Sequence, residues 1–211
     1  MNERRKNHTN FYIIRHGETQ WNVERRIQGH SDSPLTKRGR TQASELGEHL
    51  LRIELHAVFS SDLGRAMKTA QIISHPLKLP IIPSPALRER RFAHLEGLPV
   101  TSLKSIDDKL EALDAFGQFT FTSHPAIESD MDMMDRVMPF LETLSSQHNG
   151  KNILLVTHGG VIRCLLVHLK RATYKDLHHG AITNKALVHV RSNGSFFAVE
   201  KTSGIEFHPY A

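Results

Sequence analysis

The sequence predicts an α/β fold of three layers, α/β/α, with a mostly parallel central sheet. Two observations carry that expectation. Three segments share one pattern: an apolar strand, a short polar turn holding a basic residue, then a helix or a long loop. The strands are also continuously apolar rather than alternating, as in a sheet covered by helices on both faces.

The first strand is Phe11-Tyr12-Ile13-Ile14, which stops at Arg15-His16-Gly17. The second is Ala57-Val58-Phe59, where Ser60-Ser61-Asp62 reads as an N-cap. The helix it opens runs from Leu63 to about Ser74, with Ala66, Met67, Ala70 and Ile73 inward and Pro76 past its end. The third is Ile153-Leu154-Leu155-Val156, followed by Thr157-His158-Gly159-Gly160 and a helix from Val161 to about Lys170. Thr36 to about Ile53 is a further helix, with Ala43, Leu46, Leu50 and Leu51 on one stripe. Ser129 to about Ser146 is another, with Met134, Val137, Met138, Leu141 and Leu144 inward. Pro139 inside it costs roughly 3 kcal/mol in an ideal helix interior, so a kink or break is expected. Ala186 to Val190 and Phe196 to Val199 flank Ser192-Asn193-Gly194-Ser195, a hairpin signal because Asn-Gly accepts positive φ twice. The stretch from Leu87 to about Ile127 lacks clean periodicity and is expected as an irregular, partly helical insertion over the strand ends.

With 211 residues, 39% apolar and 23% charged, the chain reads as a single domain over 1–211. A domain of that size buries about 70% of its unfolded surface and needs no disulfide or metal staple. Residues 1–9 read as a basic, disordered tail. No apolar run approaches the roughly 18 residues of a membrane span, and no signal-type stretch follows the basic start, so a cytoplasmic protein without membrane contact is expected. A net charge of +5 suits anionic partners. No dense basic run interleaved with aromatics points to nucleic acid. Cys164, in the apolar run Val161 to Leu166, is expected as a packed core thiol. Met131, Met133, Met134 and Met138 are core or helix-face residues. His178-His179 and the scattered histidines show no metal-ligand spacing, so no metal is expected. The hairpin leaves an edge strand that a second copy can pair with, which leaves the oligomeric state open, a homodimer included.

Open α/β sheets bind ligands outside the carboxyl ends of their strands, so this topology allows Arg15, His16, Arg65 and His158 to converge. A histidine beside an arginine, with Gly17 letting the backbone come close, can attack an anionic electrophile such as a phosphoryl group. Neighbouring cations hold its pKa down and keep one ring nitrogen nucleophilic. Arg65 falls in a first helical turn, where a cation opposes the macrodipole by about 0.3–1 kcal/mol. An anion between them removes that conflict; an exposed arginine paired with a carboxylate is the competing reading. His158 precedes Gly159-Gly160 at a helix start that favours anions, or else is a hydrogen-bonded turn histidine. Fifteen histidines make any single one weak evidence. Glu89, in Leu87-Arg88-Glu89-Arg90-Arg91, reads by composition as part of a solvated salt-bridge cluster. In the cleft it would protonate a leaving alcohol and then deprotonate the attacking water.

Several motifs in order resemble the histidine phosphatase superfamily, the phosphoglycerate-mutase-like proteins. They are Arg15-His16-Gly17-Glu18-Thr19-Gln20-Trp21-Asn22, Gln28-Gly29, Pro34 to Ala43, Ser60 to Ala70, Leu87-Arg88-Glu89 with Glu96-Gly97, Glu128-Ser129 with Asp132 and Arg136-Val137, and Thr157-His158-Gly159-Gly160. The resemblance implies a phosphoglycerate-mutase-like fold and a metal-independent enzyme without organic cofactor. It implies His16 as the phosphorylated nucleophile and Glu89 as proton donor and acceptor. Arg15, Arg65, His158 and Gly159 would hold the phosphoryl group, assisted by Asn22, while Gly17, Gln28 and Gly29 shape the substrate pocket. Where the family commonly has Phe-Gly-x-Trp-Glu-Gly, this chain has Phe92-Ala93-His94-Leu95-Glu96-Gly97, which alters packing under the Glu89 loop. The implied activity is hydrolysis of a small phosphorylated metabolite. The alternatives are phosphoglycerate mutase and a non-catalytic binder of phosphate ligands. The family's mutases carry a longer insertion with paired arginines; Val100 to Pro125 offers only Lys104 and Lys109, which favours hydrolysis.

Overall fold

The structure, a computed structural model, describes residues 8–178 and 180–207. The expected disorder of the tail falls largely on residues outside that set, as does His179. Thr9, placed in the tail by sequence, instead opens the first strand and is buried.

Six strands form one mixed sheet: β1 (Thr9–Arg15), β2 (Ala57–Ser60), β3 (Ile81–Pro83), β4 (Asn152–Thr157), β5 (Ile182–Ser192) and β6 (Phe197–Ile205), in the order β3-β2-β4-β1-β5-β6. β3, β2, β4 and β1 run parallel, and β5 and β6 add antiparallel strands at one side. The helices are α1 (Gln20–Val23), α2 (Lys37–Leu50), α3 (Gly64–Leu77), α4 (Lys104–Glu111), α5 (Ala115–Thr120), α6 (Asp130–Gln147) and α7 (Gly159–His168). Successive strand residues point to opposite faces. Phe11, Ile13, Ile153 and Leu155 therefore pack with Met133, Val137, Leu141 and Leu165 of α6 and α7. Ile14, Val58, Leu154 and Val156 pack with Ala43, Leu50, Ala70 and Ile73 of α2 and α3. The three-layer α/β/α architecture is the one expected.

Several boundaries differ from expectation, each for a local reason. Asp62 does not cap α3: its carboxylate is taken by Arg88. The cap comes from another loop, where Asp32 Oδ1 accepts the Arg65 backbone N–H at 3.2 Å. α3 also runs through Pro76 to Leu77 and stops at Lys78, whose φ of 55° leaves the helical region. α6 is not broken at Pro139. Asp135 and Pro139 are both exposed, so the carbonyl deprived of its donor lies on the solvent side. α2 ends at Leu50, and Leu51, expected inward, is exposed. Met131 lies on the exposed face of α6, within the expectation of a core or helix-face residue. In the hairpin loop only Gly194 has positive φ, because the Asn193 side chain accepts the N–H groups of Ser195 and Phe196 and builds a wider turn. Residues 87–127 form short 3-10 turns around α4 and α5, as expected of an irregular insertion. Cys164 is buried among apolar neighbours, and burial pushes its thiol up to about 12. Among the described residues no helix is long and apolar enough to cross a membrane.

Candidate active site

The parallel strands β1 and β4 end side by side, Arg15 opposite Thr157, and place the next residues, His16 and His158, at one edge of the sheet. Their rings meet edge to face with centroids 5.1 Å apart. Arg65 arrives from the first turn of α3, and its Nε lies 3.3 Å from His16 Nε2. The expected convergence of these groups is present.

His16 Nδ1 lies 2.8 Å from the carbonyl oxygen of Gly17, which can only accept. Nδ1 therefore carries the proton, and Nε2 keeps the lone pair that Arg65 caps. Burial, then Arg65 and Arg15, hold the His16 pKa well below the ordinary imidazole value. His158 is depressed likewise by burial, then by Arg65, His16 and Arg15. Its Nε2 lies 2.8 Å from Ser61 Oγ. Ser61 Oγ also accepts the Leu63 N–H, and its own hydroxyl proton is available to His158 Nε2, an arrangement that puts the ring proton on Nδ1. That Nδ1, and Arg15 Nε, are two of the three buried side-chain polar atoms without a partner among the described residues.

Arg65 is 1% exposed and fixed by the carbonyls of Ser31 at 2.8 Å and Gly29 at 2.7 Å and by Asp32 at 3.1 Å. The competing reading, an exposed ion pair, does not describe it. Arg15 donates to the carbonyl of Ile182 on β5. Burial draws its pKa down to about 10, with Glu89 opposing and Arg65 adding to the fall.

Glu89 reaches the same site. Its Oε2 accepts the Gly160 N–H at 3.0 Å and Oε1 the Arg90 N–H at 2.8 Å. A Cβ on Gly160 would stand 2.2 Å from Glu89 Oε1, so the glycine makes room for the carboxylate. The loop is held from behind. Thr157 donates to Leu87 O at 2.7 Å, and Arg136 donates to the carbonyls of Ala86 and Glu89 at 2.8 and 3.0 Å. Arg136 also binds Glu128; burial works against that carboxylate, but Arg136 and the Arg91 N–H together lower its pKa. The solvated cluster expected around Glu89 is thus divided among separate partners, with Arg88 on Asp62 and Arg90 on Asp130.

These groups open into a cavity of about 460 Å³. Arg15, His16, Asn22, Gln28, Gly29, Arg65, Glu89 and Gly159 all line it. Gly17 and His158 lie behind its wall. Gly17 donates its N–H to Thr69 and packs so closely on α2 that a Cβ would meet Gly39 O at 2.3 Å. Asn22 Oδ1 accepts from Thr19, and Gln28 Oε1 accepts from the Thr19 hydroxyl. Gly29, at φ 56°, presents its carbonyl to Arg65. Glu96, whose carboxylate collects Ser31, His30 and Phe92, ties this loop to the insertion. Ala93 occupies φ 50°, where the family commonly has glycine.

Sequence reasoning passed over Ser61 as a site group, Asp32, Asn184 (whose amide donates to His16 O at 2.9 Å) and Arg163. Arg163 had a signal: a single charge inside the apolar run 161–166. The outer wall is Trp21, Phe92, Leu103, Ile106 and Leu110, with Asp107 among them.

The histidine phosphatase superfamily (branch 1) model matches residues 11–203. "Phosphoglycerate mutase-like protein 4" of Arabidopsis thaliana is 41% identical over 157 residues, 72% of this chain and 67% of that protein. "Probable phosphoglycerate mutase GpmB" of Escherichia coli is 39% identical over 74% of this chain and 72% of its own length. Among solved structures, Bacillus stearothermophilus YhfR superposes with a TM-score of 0.80 at 32% identity, covering 93% of this chain and 97% of that one. A putative alpha-ribazole-5'-P phosphatase of Escherichia coli gives a TM-score of 0.75 at 28% identity over 93% and 97% of the two chains. The sheet order, the paired strand-end histidines and these likenesses agree: the chain belongs to the histidine phosphatase superfamily.

Proposed function

We propose that the protein hydrolyses the phosphomonoester of a small metabolite through a phosphohistidine formed on His16. The observation that carries the reading is a pair of buried donors without a partner among the described residues, Arg15 Nε and His158 Nδ1, beside a neutral imidazole. Leaving a buried donor unsatisfied costs about 1–3 kcal/mol, and a tetrahedral anion supplies the missing acceptors. Gly159 leaves open space at Arg15 Nε, since a Cβ there would come within 3.3 Å of it.

The Nε2 lone pair of His16 attacks phosphorus; the N–P bond forms as the ester P–O bond breaks, and Glu89 gives the leaving alcohol its proton. An attacking water then loses a proton to Glu89, the N–P bond breaks, and inorganic phosphate departs. Arg15 and Arg65 neutralise the phosphoryl oxygens and His158 donates a hydrogen bond to them, so electrostatic positioning carries most of the rate. Asn22, with Oδ1 fixed by Thr19, keeps its amide N–H for the substrate.

Hydrolysis is favoured over phosphotransfer because Lys104 and Lys109 are exposed and stand outside the cavity wall, while Leu103 of the preceding 3-10 turn and Ile106 and Leu110 of α4 line it. Wild-type protein should release inorganic phosphate from an aryl phosphate, with His16→Ala slower by about a thousandfold or more. Retained turnover in that variant ends the covalent route. Phosphate moved within the substrate and never released makes the protein a mutase, and binding without turnover makes it a phosphate-ligand binder.

A further inference from the structure

We infer that Arg163 forms a second anion subsite in the same cavity, selecting phosphomonoesters that carry another acidic group, a carboxylate or a second phosphate. The inference deepens the phosphatase reading and rests on it for the place of the first phosphate.

Arg163 lies on α7, four residues beyond Gly159 and three beyond Gly160, the two glycines that receive Arg15 and Glu89. Four helical residues advance about 6 Å and return to nearly the same face, so its side chain leaves the helix one turn outward from the phosphoryl donors. It lines the cavity although Val161, Ile162, Cys164, Leu165 and Leu166 around it are all buried.

Its orientation is fixed on two sides. Nε donates to the carbonyl of Leu177 at 2.9 Å, and the guanidinium carbon stands 5.2 Å from the Tyr174 ring centroid. The Tyr174 hydroxyl donates to Asp130 at 2.9 Å, which holds the ring in turn. With one edge and one face engaged, the two terminal nitrogens remain, and among the described residues none accepts from them and no carboxylate lies within ion-pair distance. Arg15 belongs to the phosphoryl site, and the remaining cavity arginines differ from Arg163. Arg90 is paired with Asp130, Arg26 with Glu24 and the Gly97 carbonyl, and Arg65 with the groups above; Arg25 is exposed.

Arg163 is half-buried, and its open fork faces the cavity, where a planar, two-oxygen acceptor suits it best. Burial lowers its pKa, as expected of a cation short of partners. The apolar side chains Leu103, Ile106 and Leu110 cover the space a short carbon chain would cross. Asp107 also lines the cavity and acts on Arg163 electrostatically, so a substrate acid group competes with this carboxylate.

The test compares kcat/KM for glycerol 3-phosphate, 3-phosphoglycerate and propane-1,3-diol bisphosphate in wild type, Arg163→Gln and Asp107→Asn. Wild type should prefer one acidic ester over the neutral one by about 10- to 100-fold, the worth of a charge-assisted pair. The larger ratio tells carboxylate from phosphate. Arg163→Gln should bring the ratio near one, and Asp107→Asn should raise it. The ratio cancels the fraction of active protein, so a poorly folding variant still reports it. No preference in wild type, or a ratio untouched by Arg163→Gln, overturns the subsite while leaving the phosphatase reading intact. If neither these esters nor an aryl phosphate is turned over, that reading fails instead, and in either case calorimetric affinities of the same esters for wild type and Arg163→Gln judge the subsite by the same ratio.

Discussion

At the strand ends, His16, Arg65 and His158 are 2%, 1% and 0% exposed, and Ser61, Asp32 and backbone carbonyls orient them. On the opposite wall of the same cavity, Leu103, Ile106 and Leu110 are only partly buried and come from a short 3-10 turn and an eight-residue helix. The floor is built for one geometry, as a site that stabilises charge must be, because misplaced donors lose their electrostatic value. The wall needs only apolar cover and tolerates looser construction. Fixed chemistry and adjustable selectivity are thus carried by different elements, α7 alone contributing to both through Gly159, Gly160 and Arg163.

The largest effect belongs to the floor. Glu89→Gln should lower kcat by about 10²- to 10⁴-fold for an alkyl phosphate and much less for a nitrophenyl phosphate, whose alcohol leaves without a proton. Equal losses on both esters would mean that Glu89 positions Gly160 and Arg90 instead of moving a proton. Measuring kcat against leaving-group acidity separates the two.

The next effect is on stability. His16 and His158 have pKa values depressed in the folded protein, so below the ordinary value near 6.5 the unfolded chain binds more protons. Stability should be intact above that pH and fall on acidification, by at most about 1.4 kcal/mol per pH unit for each imidazole. Urea unfolding between neutral and mildly acidic pH measures the slope, and His16→Gln should reduce it. An unchanged slope would contradict the neutral, buried imidazole of the floor.

The smallest effect lies in the loop under the wall. Ala93 sits at φ 50°, a conformation that costs an L-residue about 1–2 kcal/mol. Ala93→Gly relieves it and loosens the unfolded chain, for a net gain of about 0.5–1 kcal/mol. A higher thermal unfolding midpoint with unchanged kcat/KM on an aryl phosphate is the expected pattern; a lower midpoint would show that the Ala93 methyl is packed usefully.

The floor was legible in sequence because each of its parts is local. A strand, a turn residue and a helix start lie within about ten positions, so Arg15-His16, Arg65 and His158-Gly159 announce themselves. What was missed is tertiary. Asp32 caps α3 from another loop, and Ser61, read as part of a local cap, instead orients a ring nearly a hundred residues away. Composition alone makes Glu89 a surface charge, and only the resemblance points to its role, because the contacts that turn its loop inward come from Arg136, Thr157 and Gly160 on distant elements. Pro76 and Pro139 misled the helix boundaries, since propensity counts the lost hydrogen bond without seeing which side of the helix faces solvent.

The most direct measurement is rapid quenching of wild-type protein with a phosphomonoester, followed by mapping of the acid-labile phosphate. The label should appear on the peptide containing His16, attached through Nε2, and be absent from His16→Ala. A label on His158, on a carboxylate, or on no residue while hydrolysis proceeds at full rate would contradict the convergence of two imidazoles and two guanidinium groups on one phosphoryl group.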